Sequence, residues 1–290
     1  MRVFESARSR GMPALLLLAL LSCAGPEQGG RAEIPPQTEP VKLRKRLADL
    51  EVREDPESLR ARAEICELLR ASGVPDAAEL LIRGAEANAG ILSQPAPEAL
   101  RREAAGKLAL AFARQAAAAT VSRIEYPGSL GQPLRRLVLL MAAVLFADYA
   151  LSDQRADLFQ KLAETLDNLG DSKTLTAEAR AYFKAEVREL LLKSMAARRG
   201  APSEPSPESR KFCELTLQAH LDEGTRNADF GTREKADRSK AIQVVRWYLQ
   251  ALTHFAVARE TRMQLSPSQA NTLGGQDIVV RSLCDLLCAD

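Results

Sequence analysis

The chain has 290 residues, of which 46% are hydrophobic and 27% charged, so it is long enough for a sizeable core and too apolar to be disordered throughout. Ala and Leu occupy 47 and 43 positions and aromatic residues only 4%, a composition that favours helices and disfavours β-sandwiches and barrels. Without residues 1–22, the chain carries 37 basic and 37 acidic side chains. This neutral balance gives no electrostatic reason to expect a nucleic-acid partner or binding to an anionic membrane surface.

The first 23 residues have the order of parts of an export signal. Three arginines within residues 1–10 form a positively charged segment, and residues 12–21 are apolar. Ten apolar residues are too few to cross a hydrocarbon core of ~30 Å, which needs ~20 residues in a helix. The segment ends in Leu20-Leu21-Ser22-Cys23.

This ending resembles the lipobox of bacterial lipoproteins, with an aliphatic residue three before the cysteine and a small one directly before it. The resemblance implies cleavage between Ser22 and Cys23, and a diacylglyceryl group on the Cys23 thiol, with palmitate as a typical acyl chain. Ala24, where Asp would imply retention in the inner membrane, favours the periplasmic face of the outer membrane. Two alternatives remain open: cleavage after Ala24, which would release a soluble protein, and a cytosolic protein with an apolar N-terminal helix.

The segments that follow divide the chain by composition. Residues 1–22 are the predicted signal peptide, and residues 23–40 are the lipidated cysteine and a flexible tether rich in Pro and Gly. The spacing of apolar residues predicts a helical-repeat-like region over 41–199, a linker at 200–206 and a C-terminal helical region over 207–290. The tether would hold the folded body close to a lipid surface.

The predicted fold is all-α, built from stacked helical hairpins, with an irregular helical bundle as the alternative. No stretch alternates with period two, so no strand is predicted. The run from Leu137 to Ala147 is entirely apolar and predicts a helix at the centre of the core. Helices are predicted over 41–54, 58–72, 75–89, 97–123, 133–151, 153–169, 176–198, 207–221, 236–261 and 276–288.

One hairpin, about 56–90, resembles a single tetratricopeptide repeat, a 34-residue helix–turn–helix unit. The residues that carry the resemblance follow in the family's order: Pro56, Ile65, Cys66, Leu69, Gly73, Ala78, Ile82 and Ala85. Small residues at 66, 78 and 85 would let the two helices touch. The pattern does not recur 34 residues later, so the resemblance is to a degenerate repeat.

The resemblance also implies a peptide-binding face on the first helix of the hairpin. It would present Arg60, Glu67 and Arg70, together with Ala63 and Ala71, and the arginines could bind a carboxylate or backbone carbonyls of an extended peptide. A second candidate anchor is Trp247, the one tryptophan of the chain, although such a residue more often packs at the margin of a core.

The residues that could carry chemistry are few. His220 is predicted as a helix-end residue, and His254 shares a helix edge with Trp247, but neither has a second ligand at metal spacing. No phosphate-binding or nucleophile motif occurs, so no catalytic residue, metal or small-molecule cofactor is predicted. Four cysteines follow Cys23, at positions 66, 213, 284 and 288, and both free thiols and disulfides remain open.

The sequence therefore predicts a lipid-anchored protein of the bacterial cell envelope, without catalysis, that binds another protein or a peptide through a helical surface. The alternatives are an envelope enzyme with an all-α domain and a purely structural lipoprotein that associates with itself. A membrane, through the lipid anchor, and a protein or peptide are the expected partners.

Overall fold

Helices make up nearly all of the structure, a computed structural model that describes residues 40–119, 131–172, 175–200, 204–261, 266–274 and 276–288. The predicted signal peptide, Cys23 and residues 24–39 of the tether lie outside these ranges. The helices, in chain order, are α1 (Pro40–Leu50), α2 (Pro56–Ala71), α3 (Ala77–Leu92), α4 (Glu98–Ala118), α5 (Gly131–Ala150), α6 (Arg155–Gly170), α7 (Ala177–Arg198), α8 (Pro207–Cys213), α9 (Leu217–Glu234), α10 (Ala241–Glu260), α11 (Pro267–Gly274) and α12 (Gln276–Leu287).

The helices pack as antiparallel neighbours in sequence order, which confirms the all-α fold of stacked helical hairpins. From α1 to α7, each helix packs on the one before it, and α9 pairs with α10. The chain then returns on itself, because α8 and α10 both pack on α5. Within the described ranges no strand forms, and the one extended pairing is an isolated bridge between Leu175 and Cys288.

The predicted central helix is α5. Its apolar run is buried except at Met141 and Leu145, which are half-buried. Helices α4, α6, α8 and α10 surround it, so almost every side of the helix faces protein. The two half-buried positions lie four residues apart on one stripe of the helix, and that stripe borders a cavity.

Local capping chemistry sets several helix starts, as the sequence indicates. The Oγ atoms of Ser206 and Thr176 accept hydrogen bonds from the backbone N–H groups three residues later, at 3.2 and 3.1 Å. Pro207 follows Ser206 at a position where no N–H is needed. Gly73, the predicted turn glycine, has φ +74°, a left-handed conformation that ends α2.

Two predictions about the helices are wrong. The helix predicted over 207–221 is two helices, since α8 ends at Cys213 and α9 runs from Leu217 to Glu234. Ala78 is exposed, because it lies in the first turn of α3, beyond the contact with α2. The close approach of these helices is instead at Gly84, where an added Cβ would lie 3.4 Å from the Cβ of Cys66. Ile65, Cys66, Leu69 and Ala85 are buried, as the packing pattern predicts.

The four described cysteines are free. Cys66 and Cys213 are buried, and burial raises the pKa of the Cys66 thiol to about 11, which makes the thiol unreactive at neutral pH. Within the described ranges, no helix combines the length and the apolarity that crossing a bilayer requires.

Candidate functional site

The charges predicted to bind a peptide on α2 are already paired within the protein. Arg60 Nε lies 3.1 Å from Glu64 Oε1 and 3.7 Å from Glu103 Oε2 of α4. Arg70 Nη2 lies 2.5 Å from Glu67 Oε1, and a side-chain hydrogen bond from Arg70 lowers the pKa of the Glu67 carboxyl. Two of these ion pairs lie within α2 and one joins α2 to α4, so an incoming peptide would have to displace existing partners.

The remaining predicted positions do not complete a peptide-binding face. Ala63 is buried rather than exposed, because it lies where α2 meets α3. Trp247 is half-buried on α10, with its ring centroid 5.7 Å from that of Phe230 in α9. The predicted site residues therefore divide between α2, which packs on α1 and α3, and α10, which packs on α5 and α9.

A better-formed site lies between five helices, α5, α6, α7, α8 and α10. Here a cleft of about 430 Å³ opens from the half-buried stripe of α5. Its volume lies within the ~300–1,000 Å³ of ligand-binding pockets. Apolar side chains dominate its walls: Met141, Val144, Leu145, Phe159, Leu162, Leu166, Leu190 and Leu249.

The wall that α8 contributes to the cleft depends on the buried carboxylate of Asp148. Asp148 Oδ2 accepts hydrogen bonds from the backbone N–H of Ser206, at 3.0 Å, and from Ser209 Oγ, at 2.7 Å. Both donors belong to the first turn of α8 or its cap, where backbone N–H groups lack helical partners. Asp148 thus joins the end of α5 to the start of α8.

Carboxylates outnumber cations among the charged residues of the cleft. Glu186 binds Arg246, with 3.1 Å between Oε1 and Nη2, and the Arg246 guanidinium lies 5.3 Å from the centre of the Tyr182 ring. Glu204 and Glu208 are exposed, and neither forms an ion pair with a described residue. The charged lining residues are Asp148, Glu186, Glu204 and Glu208 on the acidic side, and Arg155 and Lys193 on the basic side.

A buried pair of histidines adjoins the cleft. His220 Nδ1 and His254 Nδ1 are 2.8 Å apart, a hydrogen bond in which one neutral ring donates to the other. The rings pack on Phe212, with centroids 4.8 and 5.1 Å away. Burial lowers the pKa of His220 to about 3 and that of His254 to about 4. His220, predicted as a helix-end residue, lies in the first turn of α9 and is buried.

A second cavity of about 200 Å³ lies beside the cleft, and Met141, Leu145 and Glu208 line both spaces. His254 reaches this second cavity from α10. Among the described residues, no three His, Cys, Asp or Glu side chains are arranged to hold a metal ion. The cleft offers a ligand apolar walls, with exposed carboxylates at its edge.

The sequence did not predict the cleft, although some of the residues that line it belong to a conspicuous apolar run. Met141 and Leu145 belong to the apolar run of α5, where nothing separates a cleft-lining residue from a core residue. Asp148 directly follows this run and is the first acidic residue after it. The sequence does not show that this carboxylate is buried, nor that its partners lie at the start of α8.

Comparison with known proteins adds no relative. No protein-family model matches the sequence, and no curated protein or solved structure is significantly similar to it.

Proposed function

We propose that this protein is a lipid-anchored binding protein of the bacterial cell envelope, without catalysis, and that its cleft holds an apolar segment of a partner protein. The cleft between α5, α6, α7, α8 and α10 carries this proposal, because it offers an apolar, preformed space of ligand-binding size. The ion-paired face of α2 offers less, since exposed charges that already have partners contribute little to binding a new one.

The charges of the cleft define the kind of segment that fits. Glu204 and Glu208 border the apolar walls, and acidic lining residues outnumber basic ones by four to two. Complementary charge favours a partner segment in which basic residues flank large apolar ones. The apolar side chains would fill the space beside Met141 and Leu145, in the manner of a peptide laid into a groove between helices.

Two further observations support a binding role in the envelope. The lipobox ending at Cys23 supports the anchor, and Ala24 supports the periplasmic face of the outer membrane. The two histidines bind each other in the core, and burial keeps them neutral. Neither is therefore presented to a substrate as an acid or a base.

Site-specific crosslinking combined with charge reversal tests the cleft. A photoreactive benzoylphenylalanine at Leu145 should capture one protein in the native envelope, whereas the same group at Ala185, on the exposed side of α7, should not. Reversing both exposed carboxylates, with Glu204→Lys and Glu208→Lys, should reduce capture at least ~10-fold, the loss of about 1.4 kcal/mol of binding energy.

The matched control is Glu164→Lys with Asp167→Lys, which reverses two exposed acids of α6 that do not line the cleft. This variant should capture the partner as the wild type does. All variants should remain helical by circular dichroism, and Glu208→Lys should lower the melting temperature slightly, because it places a cation in the first turn of α8. Equal capture by the two double variants would contradict the cleft as the binding site.

A further inference from the structure

The outer face of α7 exposes a cluster of large apolar side chains. Leu191, Leu192 and Met195 are 42, 66 and 49% exposed. With 3.6 residues per turn, these positions lie together on one side of the helix, roughly opposite the buried Phe183 and Leu190. The same helix lines the cleft with its inner side, so the exposed cluster is a separate surface.

Basic side chains surround this cluster. Lys184, Arg188 and Arg199 fall on the same side of the helix and are exposed. None of the three forms an ion pair with a described residue, whereas Arg198, nearer to α6, binds Asp157 at 3.0 Å. The acids of α7, Glu178, Glu186 and Glu189, lie outside this side. The outer face thus combines exposed apolar volume with unpaired positive charge.

We infer that the outer face of α7, defined by Lys184, Arg188, Leu191, Leu192, Met195 and Arg199, rests on an anionic lipid bilayer. Apolar residues flanked by cations are the features by which helices lie in a membrane interface. The apolar side chains enter the boundary between headgroups and acyl chains, while the cations meet anionic headgroups.

Charge complementarity and the predicted anchor favour a bilayer over an acidic protein. The mature chain is neutral, with 37 basic and 37 acidic side chains, so the positive charge of this face is a local feature. The choice of a bilayer rests on the proposed anchoring at Cys23, which would keep the body within tether length of a lipid surface. Contact through α7 would then set the orientation of the body and leave the cleft on the opposite side of this helix.

Vesicle binding of the unlipidated mature chain tests the inference without the anchor. The mature chain with Cys23→Ser should cosediment with vesicles containing phosphatidylglycerol, bind vesicles of pure phosphatidylcholine far more weakly, and dissociate as salt is added. The triple variant Lys184→Gln, Arg188→Gln, Arg199→Gln should bind the anionic vesicles ~100-fold more weakly, since each cation near such a surface contributes about fivefold.

The control triple variant is Arg210→Gln, Arg233→Gln, Lys235→Gln, which removes the same charge from exposed positions in α8, in α9 and directly after α9. It should bind as the parent does. In addition, a tryptophan introduced by Leu192→Trp should be quenched by brominated lipids, whereas the half-buried Trp247 should not.

Equal binding by the two triple variants, or no binding of the parent to anionic vesicles, would overturn the inference. Crosslinking of this face to an envelope protein, without vesicle binding, would overturn it in favour of an acidic protein partner. Failure of lipidation at Cys23 would leave the vesicle result unchanged, so the two proposals fail separately.

Discussion

His220 and His254 are the two histidines of the chain, and they form a buried pair rather than a site. Their Nδ1 atoms are 2.8 Å apart, and Phe212 packs on both rings. Burial lowers both pKa values, and the positive charges of Lys211 and Arg226 lower that of His254 further. A first proton added to the pair would place charge in the core, and a second would leave N–H donors on both Nδ1 atoms, facing each other.

This arrangement predicts acid sensitivity of the fold. In the unfolded chain, both histidines titrate near pH 6.5, whereas in the folded protein they titrate near pH 3 and 4. The unfolded state therefore binds more protons between these values, and stability is lost as the pH falls below 6.5. Each histidine should lower the free energy of unfolding by up to ~1.4 kcal/mol per pH unit down to about pH 4.

Urea denaturation between pH 7 and pH 4.5 measures this slope. The double variant His220→Leu, His254→Leu keeps a similar volume and removes both titrating groups, so its slope should be smaller by the contribution of the pair. Carboxylates titrate equally in both proteins and cancel in the comparison. Identical slopes would show that the histidines are protonated in the folded protein over this range.

At the scale of the element, α9 is the helix that sequence reasoning predicted least well. It contains Gly224 and Gly231, which weaken a helix by about 0.8–1.0 kcal/mol each relative to Ala. Both glycines are buried against α10. A Cβ at Gly224 would lie 2.7 Å from the ring of Phe255, and one at Gly231 would lie 2.5 Å from the ring of Tyr248. Close packing on aromatic rings therefore outweighs local helix preference.

Gly231→Ala should destabilise the protein by ~1–3 kcal/mol, because the added Cβ would overlap the ring of Tyr248, which is fully buried. The control is Gly106→Ala in α4, where the added Cβ would lie 3.7 Å from the Cβ of Ala150, an ordinary contact. That variant should keep or increase stability by up to ~1 kcal/mol. Chemical denaturation measures both, and equal changes would mean that α9 and α10 are farther apart than described.

The described helices are organised around α5, because helices before it, directly after it and much later in the chain all pack on it. Helices α4 and α6 flank α5 in sequence, whereas α8 and α10 reach it from more than 50 residues away. A contact of 3.8 Å between Met141 Sδ and Thr253 Oγ1 joins residues 112 positions apart. The cleft exists only because these distant helices meet.

The proposed anchor also matters at the scale of the whole molecule, since it would fix the membrane beside which the cleft lies. Cys23→Ser should abolish lipidation and membrane fractionation of the expressed protein, because a hydroxyl cannot replace the thiol in thioether formation. Detergent-phase partitioning and intact mass measure the change, with Cys66→Ser as a control at a buried cysteine. Recovery of the Cys23 variant in the detergent phase with wild-type mobility would contradict the lipobox prediction.

The amino-acid sequence by itself determined that this protein is all-α and where many of its helices begin. Helix formation depends on contacts within a turn or two, on caps such as Ser206 and Thr176, and on an apolar stripe, all of which can be read along the chain. The lipobox resemblance is also read from neighbouring residues, and it remains a prediction from the sequence.

Only the tertiary structure decided which side chains share a site. Pairing of Arg60 with Glu103 of α4, burial of His220 against His254, and the joining of Asp148 to the start of α8 each depend on residues at least 34 positions apart. Side chains of the same type face solvent, core or cleft according to which helix packs beside them. That choice follows from the packing of all the helices together, because the energy of a contact depends on neighbours that the local sequence does not contain.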